Sequence, residues 1–380
     1  MDPAVWKGVN FFLDEYVHVQ KDDFVVIVYN SDTYKPAAWL AVSLNARQIA
    51  FERVWMIPLQ DPEFSSRLDA ALPRKGSFKG RLVLVTLELS TMSHDNIIRS
   101  AIVNFDTDKT MVFRVISACD ELFSKTLHVS PSELTAFNTR ILEECLDAKR
   151  LRIKTQSGSD IHIRLDSNKH RWVSNRGVWR PGNFVILPAG EVATFPAAIE
   201  GTFIADFAFN VNMMTQRDAR LESCPVRVEI QDNKAVHYEC DDLSIMRFLD
   251  ECFSTYCAHI VGELGFGTNK LVTEPIELNS HINERRPGIH LGFGSSNQSP
   301  SVVGYNCDIH LDLIAKGGLV WIDDRVNPID MDNIVPSQSE HPTRTRDEDA
   351  SAGGLICDLE VDDCCGILTS NGIRLFEIPS

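Results

Sequence analysis

Hydrophobic and polar positions along this chain change rhythm near its middle. In the first 125 residues, short unbroken apolar runs alternate with longer amphipathic stretches. DFVVIVYN (23–30), FERVWMIPL (51–59), GRLVLVTLE (80–88) and MVFRVISA (111–118) are such runs, of strand length and suited to burial on both faces. TYKPAAWLAVSLNARQ, after the first of them, has helical spacing. Strands separated by helices predict right-handed crossovers and a mostly parallel sheet. An amphipathic helix ending near residue 150, with acids early and bases late to suit its dipole, is expected to link two halves. Beyond it, a period of two dominates. LRIKTQSGSDIHIRLD and PVRVEIQDNKAVHYEC read as hairpins, turning at Gly158 and at residues 232–233. A helix over 243–256 follows, and tail segments such as GIRLFEIP read as closing strands. The expected fold class is α/β with two domains: residues 1–150 as a mostly parallel α/β domain, and 151–380 as a mixed α+β domain, which carries the candidate chemistry taken up next.

The same alternation isolates the candidate chemistry. In GIHLGFG (288–294), Ile289, Leu291 and Phe293 share one face, while His290, Gly292 and Gly294 share the other. In DIHLDL (308–313), Ile309, Leu311 and Leu313 oppose Asp308, His310 and Asp312. A strand packing its apolar face therefore lifts an imidazole and a carboxylate side by side, about 7 Å apart along the chain. An isolated H-x-D pair is more often a polar surface face. Here two histidines and several carboxylates fall in glycine-bearing, strand-like segments within fifty residues, which points to a metal site. The glycines beside His290 are expected to leave room for something other than a side chain. Imidazole with carboxylate suits Zn²⁺, Mn²⁺, Co²⁺ or Fe²⁺.

Composition narrows the class. The 380 residues are 44% hydrophobic and 24% charged, ordinary for a globular protein with ample core. A net charge of -16 argues against nucleic acid or an anionic membrane as partner. Neither a signal-like N-terminus nor a bilayer-length apolar run is present, so the expected location is the cytoplasm. No G-x-G-x-x-G follows the first strand; NSDTYKP stands there, against a dinucleotide role. STMSHD (90–95) is a polar cluster at the carboxyl end of the third strand, where parallel sheets often bind ligands. His94 is its candidate catalytic residue, with a helix N-terminal role as the alternative. The ten cysteines form no C-x-x-C pair and are expected to be reduced and mostly core, Cys307 sharing the apolar face of Ile309. The loop 336–354 is polar by composition. NFVILPAGEVATF (183–195) reads as a strand delivering Glu191 into a loop.

Taken in order, LPAGEVATFP with EGTF, GELGFGTN, NERRPGIHLGFG and the H-x-D of DIHLDL resemble the signature segments of the aminopeptidase T family of metallopeptidases. The resemblance covers roughly residues 183–313, and the N-terminal half fits more loosely. It implies a dimeric, two-domain aminopeptidase acting on a small peptide or amide. It also implies two divalent ions (Zn, Co or Mn) in the C-terminal domain, held by Glu191, Glu263, Glu284, His290, His310 and Asp312. In the mechanism that follows, Glu263 bridges the ions, a water between them attacks the amide, and Glu191 shuttles the proton. One departure stands out. The family's tyrosine beyond the third-motif histidine falls near Asn297, and Tyr305 is the candidate substitute. The superfamily includes 2,5-dihydroxypyridine dioxygenases, which hold one Fe(II); the acid at Glu263 favours the hydrolase. A third expectation is a metal-binding relative without peptidase activity. Arg285 and Arg286 flank the site in sequence and could bind a carboxylate, although two arginines after an acid more often form a solvated face; His162 reads as surface, and His259 as core or surface.

Overall fold

The computed structural model describes residues 2–90 and 92–345, and the backbone of two short strands at Gly366–Thr369 and Gly372–Leu375. Cys364, Cys365 and the end of the polar loop lie outside the described residues. The chain is a mixed α/β protein whose described residues divide into two compact units. One comprises residues 2–131 with Gly177–Ala189, the other Ser132–Arg176 with residues 190–345 and the two short strands.

The first unit carries a five-stranded, wholly parallel sheet. Its order is Ala50–Trp55, Phe24–Tyr29, Leu82–Leu87, Thr110–Val115 and Phe184–Leu187. The four apolar runs of the sequence are its first four strands. Leu82–Leu87 is buried along its whole length, as a central strand covered on both faces must be. Ala50–Trp55 is an edge, and there Glu52 and Arg53 face solvent and blunt the exposed backbone. The helix Tyr34–Ala46 makes the expected crossover, and Pro3–Phe11 opens with Asp2 accepting from Ala4 N at 2.8 Å and proline in its first turn.

The second unit holds two antiparallel sheets sharing one apolar core. A seven-stranded sheet contains both expected hairpins, Arg150–Lys154 with Asp160–Arg164 and Val226–Gln231 with Lys234–Glu239. Asp232 and Asn233 both take positive φ, the geometry a two-residue hairpin turn with right-handed twist requires. A six-stranded sheet runs Ala208–Val211, His310–Lys316, Gly288–Gly294, Val261–Gly267, Glu191–Thr194 and Val173–Asn175. Ile161, Phe203 and Val228 from the first sheet meet Leu264, Phe266, Leu291, Phe293, Leu311 and Leu313 from the second. The helix Leu243–Cys252, capped by Asp242 accepting from Ser244 N and Ile245 N, lays Phe248 and Leu249 on this core. It ends earlier than expected, passing into a 3-10 turn at Tyr256–His259.

Two expectations are corrected here. Glu191 does not sit in a loop; it opens the strand Glu191–Thr194. Cys257 and Cys307 are not free thiols but a disulfide, their Cα atoms 5.6 Å apart. Cys119, Cys145, Cys224 and Cys240 are free. Nothing in the spacing of 257 and 307 announces the bond, which depends on bringing together the approaches to two different strands.

Candidate metal centre

With the odd positions of Gly288–Gly294 packed into the core, its even positions face the other side of the six-stranded sheet. The same holds for His310 and Asp312 on the next strand, where Leu311 and Leu313 are core. Glu263 reaches that face by a different device. Val261 pairs with Phe293 while Glu263 pairs with Gly292, so Gly262 is an extra residue in the ladder. The bulge shifts parity: Val261, Leu264 and Phe266 are core, and Glu263 and Gly265 lie opposite.

Across the sheet, each of these ligand-type residues is paired with a glycine. His290 lies opposite Gly265, Glu263 and Asp312 lie on either side of Gly292, and His310 lies opposite Gly294. A Cβ on Gly265 would collide with the His290 imidazole. One on Gly292 would stand 2.8 Å from His310 Cε1, 2.9 Å from Glu263 Cβ and 3.0 Å from Asp312 Oδ1. The room these glycines leave is thus filled by the neighbouring strands' imidazoles and carboxylates, which corrects the expectation of space for something other than a side chain.

The side chains converge. Glu191 Oε1 lies 2.8 Å from His290 Nε2, and Glu263 Oε1 lies 3.5 Å from the same nitrogen. His310 Nε2 is 3.2 Å from Asp312 Oδ2. On its other side, His310 Nδ1 lies 2.9 Å from the Ser295 carbonyl, which sets this nitrogen as the donor and leaves Nε2 as the lone-pair side. Glu284 sits in the short helix His281–Glu284, where it accepts from Asn210 Nδ2. Arg285 follows it and pairs with Glu191 Oε2, its Nη1 also 3.5 Å from Glu284 Oε2. Arg285 is 0% exposed, so the solvated face expected for it is wrong. Arg286 does stay near the surface, 3.4 Å from Asp332 and over the Phe207 ring.

The electrostatics of so dense a cluster split its members. Burial works to raise the Glu191 carboxyl, but Arg285 and His290 outweigh it and hold it at about 2. Burial likewise opposes ionisation of Asp312, yet the His310 charge and hydrogen bond keep its pKa well below the usual carboxylate range. Burial pushes Glu263 and Glu284 upward, and for Glu284 the Asp312 charge adds to the rise. Both imidazoles go up despite burial, His290 through Glu191 and Glu263, His310 through Asp312.

Two overlapping trios have the spacing of metal ligands: Glu191, Glu284 and His290, and Glu263, His290 and Asp312. Nδ1 of His290 and Oδ1 of Asp312 are buried without a hydrogen-bond partner. Buried polar atoms left so are rare and call for an explanation, and a cation supplies one. The residues therefore fit a divalent ion of the kind that imidazole and carboxylate prefer. Of the other sequence candidates, Tyr305 donates its hydroxyl to Gly294 O at 2.7 Å and stands outside both trios. His94 belongs to the first unit, where it precedes the helix Asp95–Ile102, its Nε2 2.8 Å from Ile57 O. His259 lies 3.0 and 2.9 Å from the carbonyls of Ala235 and Phe253, a structural histidine, and His162 is exposed. Sequence reasoning named Arg285 but favoured a solvated face for it, and it missed Asn210. The signal for the first is an arginine placed directly after a ligand-type acid and just before a strand; the second carries none.

Residues 200–316 match a family model described as crocagin biosynthetic protein CgnE/B. That span is less than half of the chain; it includes Glu263, Glu284, Arg285, His290, His310 and Asp312 but not Glu191. No curated protein sequence matches the chain. Among solved structures, it is similar to the 2,5-dihydroxypyridine dioxygenase of Pseudomonas putida KT2440, with a TM-score of 0.58 and 13% identity over 90% of this chain and 98% of that one. It is also similar to AmpT of Thermus thermophilus, with a TM-score of 0.51 and 12% identity over 87% of this chain and 99% of that one. Both likenesses establish a shared fold. No helix among the described residues is long and apolar enough to cross a membrane.

Proposed function

We propose that the second unit is a metal-dependent hydrolase centre that cleaves an amide bond in a small peptide or peptide-like metabolite. The observation that carries this reading is the convergence of four carboxylates and two imidazoles in one buried cluster, with Asp312 Oδ1 and His290 Nδ1 left unpartnered. A bound divalent ion would supply Lewis acidity toward a water or a carbonyl oxygen. The chain's own residues do the rest. His310, oriented by Ser295 O, directs Nε2 at the site, and Glu263, His290 and Asp312 present their donor atoms together. The proton-carrying role first expected of Glu191 does not suit a carboxyl held at about 2. Glu263, raised by burial, is the better matched of the two to carry a proton. A match to a family described as biosynthetic supports a tailoring role over general peptide turnover.

A second reading has its own support. His290, His310 and Asp312 supply two imidazoles and a carboxylate, the set used by non-haem Fe(II) oxygenases, and a dioxygenase shares the fold. Protein purified without chelator, analysed for metal and assayed on amide and dihydroxylated aromatic panels with and without oxygen, decides between them. Amide cleavage unaffected by oxygen removal supports the hydrolase. Bound iron with oxygen-dependent ring cleavage overturns it.

A further inference from the structure

We infer that Arg285 is a built-in cation filling one of two ion positions, so that the centre holds a single divalent ion on the Glu263, His290 and Asp312 side. The inference rests on reading the cluster as a metal centre and goes on to say how many ions it accepts.

The two ligand trios are not equivalent. They share His290, and a neutral imidazole offers one lone pair, so its ring serves one ion at a time. On the Glu191 side, every carboxylate oxygen already faces a partner from the chain. Glu191 has His290 at Oε1 and Arg285 at Oε2, and Glu284 has Asn210 at Oε1 and Arg285 near Oε2. The guanidinium between these acids is fully buried, and its charge cannot be shed because arginine stays protonated in proteins. A divalent ion entering there would meet that fixed positive charge at close range in a poorly screened interior. The Asp312 side is the reverse. Its Oδ1 has no hydrogen-bond partner, and the lone-pair nitrogen of His310 stands 3.2 Å from Oδ2. His310 is also the member with some solvent exposure, a quarter of its side chain, which is where an ion or substrate gains access. Glu191 and Glu284 then act as positioning residues: they neutralise Arg285, and Glu191 orients the His290 ring.

Titration of the metal-free protein with Zn²⁺ or Mn²⁺, read by native mass spectrometry, tests this. The wild type is expected to saturate at one ion per chain in excess metal. Arg285→Met, which keeps the length and removes the charge, is expected to take two, and Arg285→Lys to remain at one. Asp312→Asn should weaken the ion by more than the roughly 10–100-fold that losing an outer partner costs, while Glu191→Gln still binds one ion. Two ions in the wild type, or one in folded Arg285→Met, overturns the inference and leaves the metal-centre reading standing. No ion in the wild type overturns both. Should Arg285→Met fail to fold, wild-type stoichiometry and the contrast of Asp312→Asn with Glu191→Gln still decide.

Discussion

Asn138 holds Glu191 from behind. The Asn138 amide nitrogen lies 2.9 Å from the Glu191 carbonyl oxygen, and 3.0 and 3.1 Å from Asn175 O and Ser174 Oγ. Its side-chain oxygen accepts from Thr268 Oγ1 at 2.6 Å. One fully buried amide on the helix Pro131–Cys145 thereby ties together the ends of two strands of the six-stranded sheet and the start of the strand bearing Glu191.

Replacing Asn138 with Leu strands these groups without water. Each buried polar group left unpaired costs about 1–3 kcal/mol, so a loss of at least about 2 kcal/mol is expected in chemical denaturation. Ion affinity should fall as well, because the Glu191 strand is loosened. A variant as stable as the wild type would show that the amide is replaceable.

His310→Ala and Asp312→Ala are expected to lose bound metal and turnover together while the circular dichroism spectrum is retained. Both side chains are on the face opposite Leu311 and Leu313, so the core that fixes the strand is untouched. Full metal content and full rate in both variants would falsify the ligand assignment.

In the first unit, a buried pair gives a pH signature. Glu88 accepts from Ser93 Oγ at 2.7 Å and from Arg114 Nη2 at 2.9 Å, yet burial outweighs these contacts and pushes its carboxyl up to about 7. A pKa raised on folding means that the protonated form favours the folded state. The contribution is whole below the unfolded value near 4.5 and is lost as pH rises through 7. Glu88→Gln, which mimics the protonated acid, should therefore gain stability relative to wild type as pH climbs from 4.5 past 7, by up to ~3 kcal/mol. Parallel stability profiles for the two proteins would show that Glu88 titrates normally.

The Cys257–Cys307 bond joins residues 50 apart in sequence, one before the Glu263 strand and one before the His310 strand. A loop of that length restricts the unfolded chain by about 4 kcal/mol in the chain-entropy account. Reductant or Cys307→Ser should lower the melting temperature, and thiol counting under denaturing conditions should find the pair oxidised. An unchanged melt with both thiols free would remove the bond from the account.

His94 tests the sequence reading of the first unit. Its ring packs 5.0 Å from Phe64 and bonds to Ile57 O, so His94→Ala is expected to lower stability by about 1–3 kcal/mol. Turnover lost at unchanged stability would instead restore the catalytic role suggested by its place after the third strand.

The parallel strands of the first unit were legible because each is a closed apolar run, and the site face of Gly288–Gly294 because its alternation is unbroken. Glu263 was found as a motif residue, but its orientation depends on the bulge at Gly262, which shows only when the neighbouring strand is in place. Arg285 was misread for a physical reason. A charge in isolation belongs in water, and only the carboxylates brought in from residues 191 and 284 make its burial tolerable. The disulfide was missed for the same reason: its partners meet through the sheet, not through the sequence.

The pairing of each ligand-type residue with a glycine ties chemistry to strand registration. A slip of one residue between Val261–Gly267 and Gly288–Gly294 would set bulky groups where Gly265 and Gly292 now yield, and would turn His290 toward the core. The centre therefore cannot be remodelled by single substitutions at its ligands alone, since enlarging either glycine moves a neighbour's donor atom. In engineering terms, Gly265 and Gly292 are tuning positions: one added methyl at either displaces the donor set without altering a single donor atom.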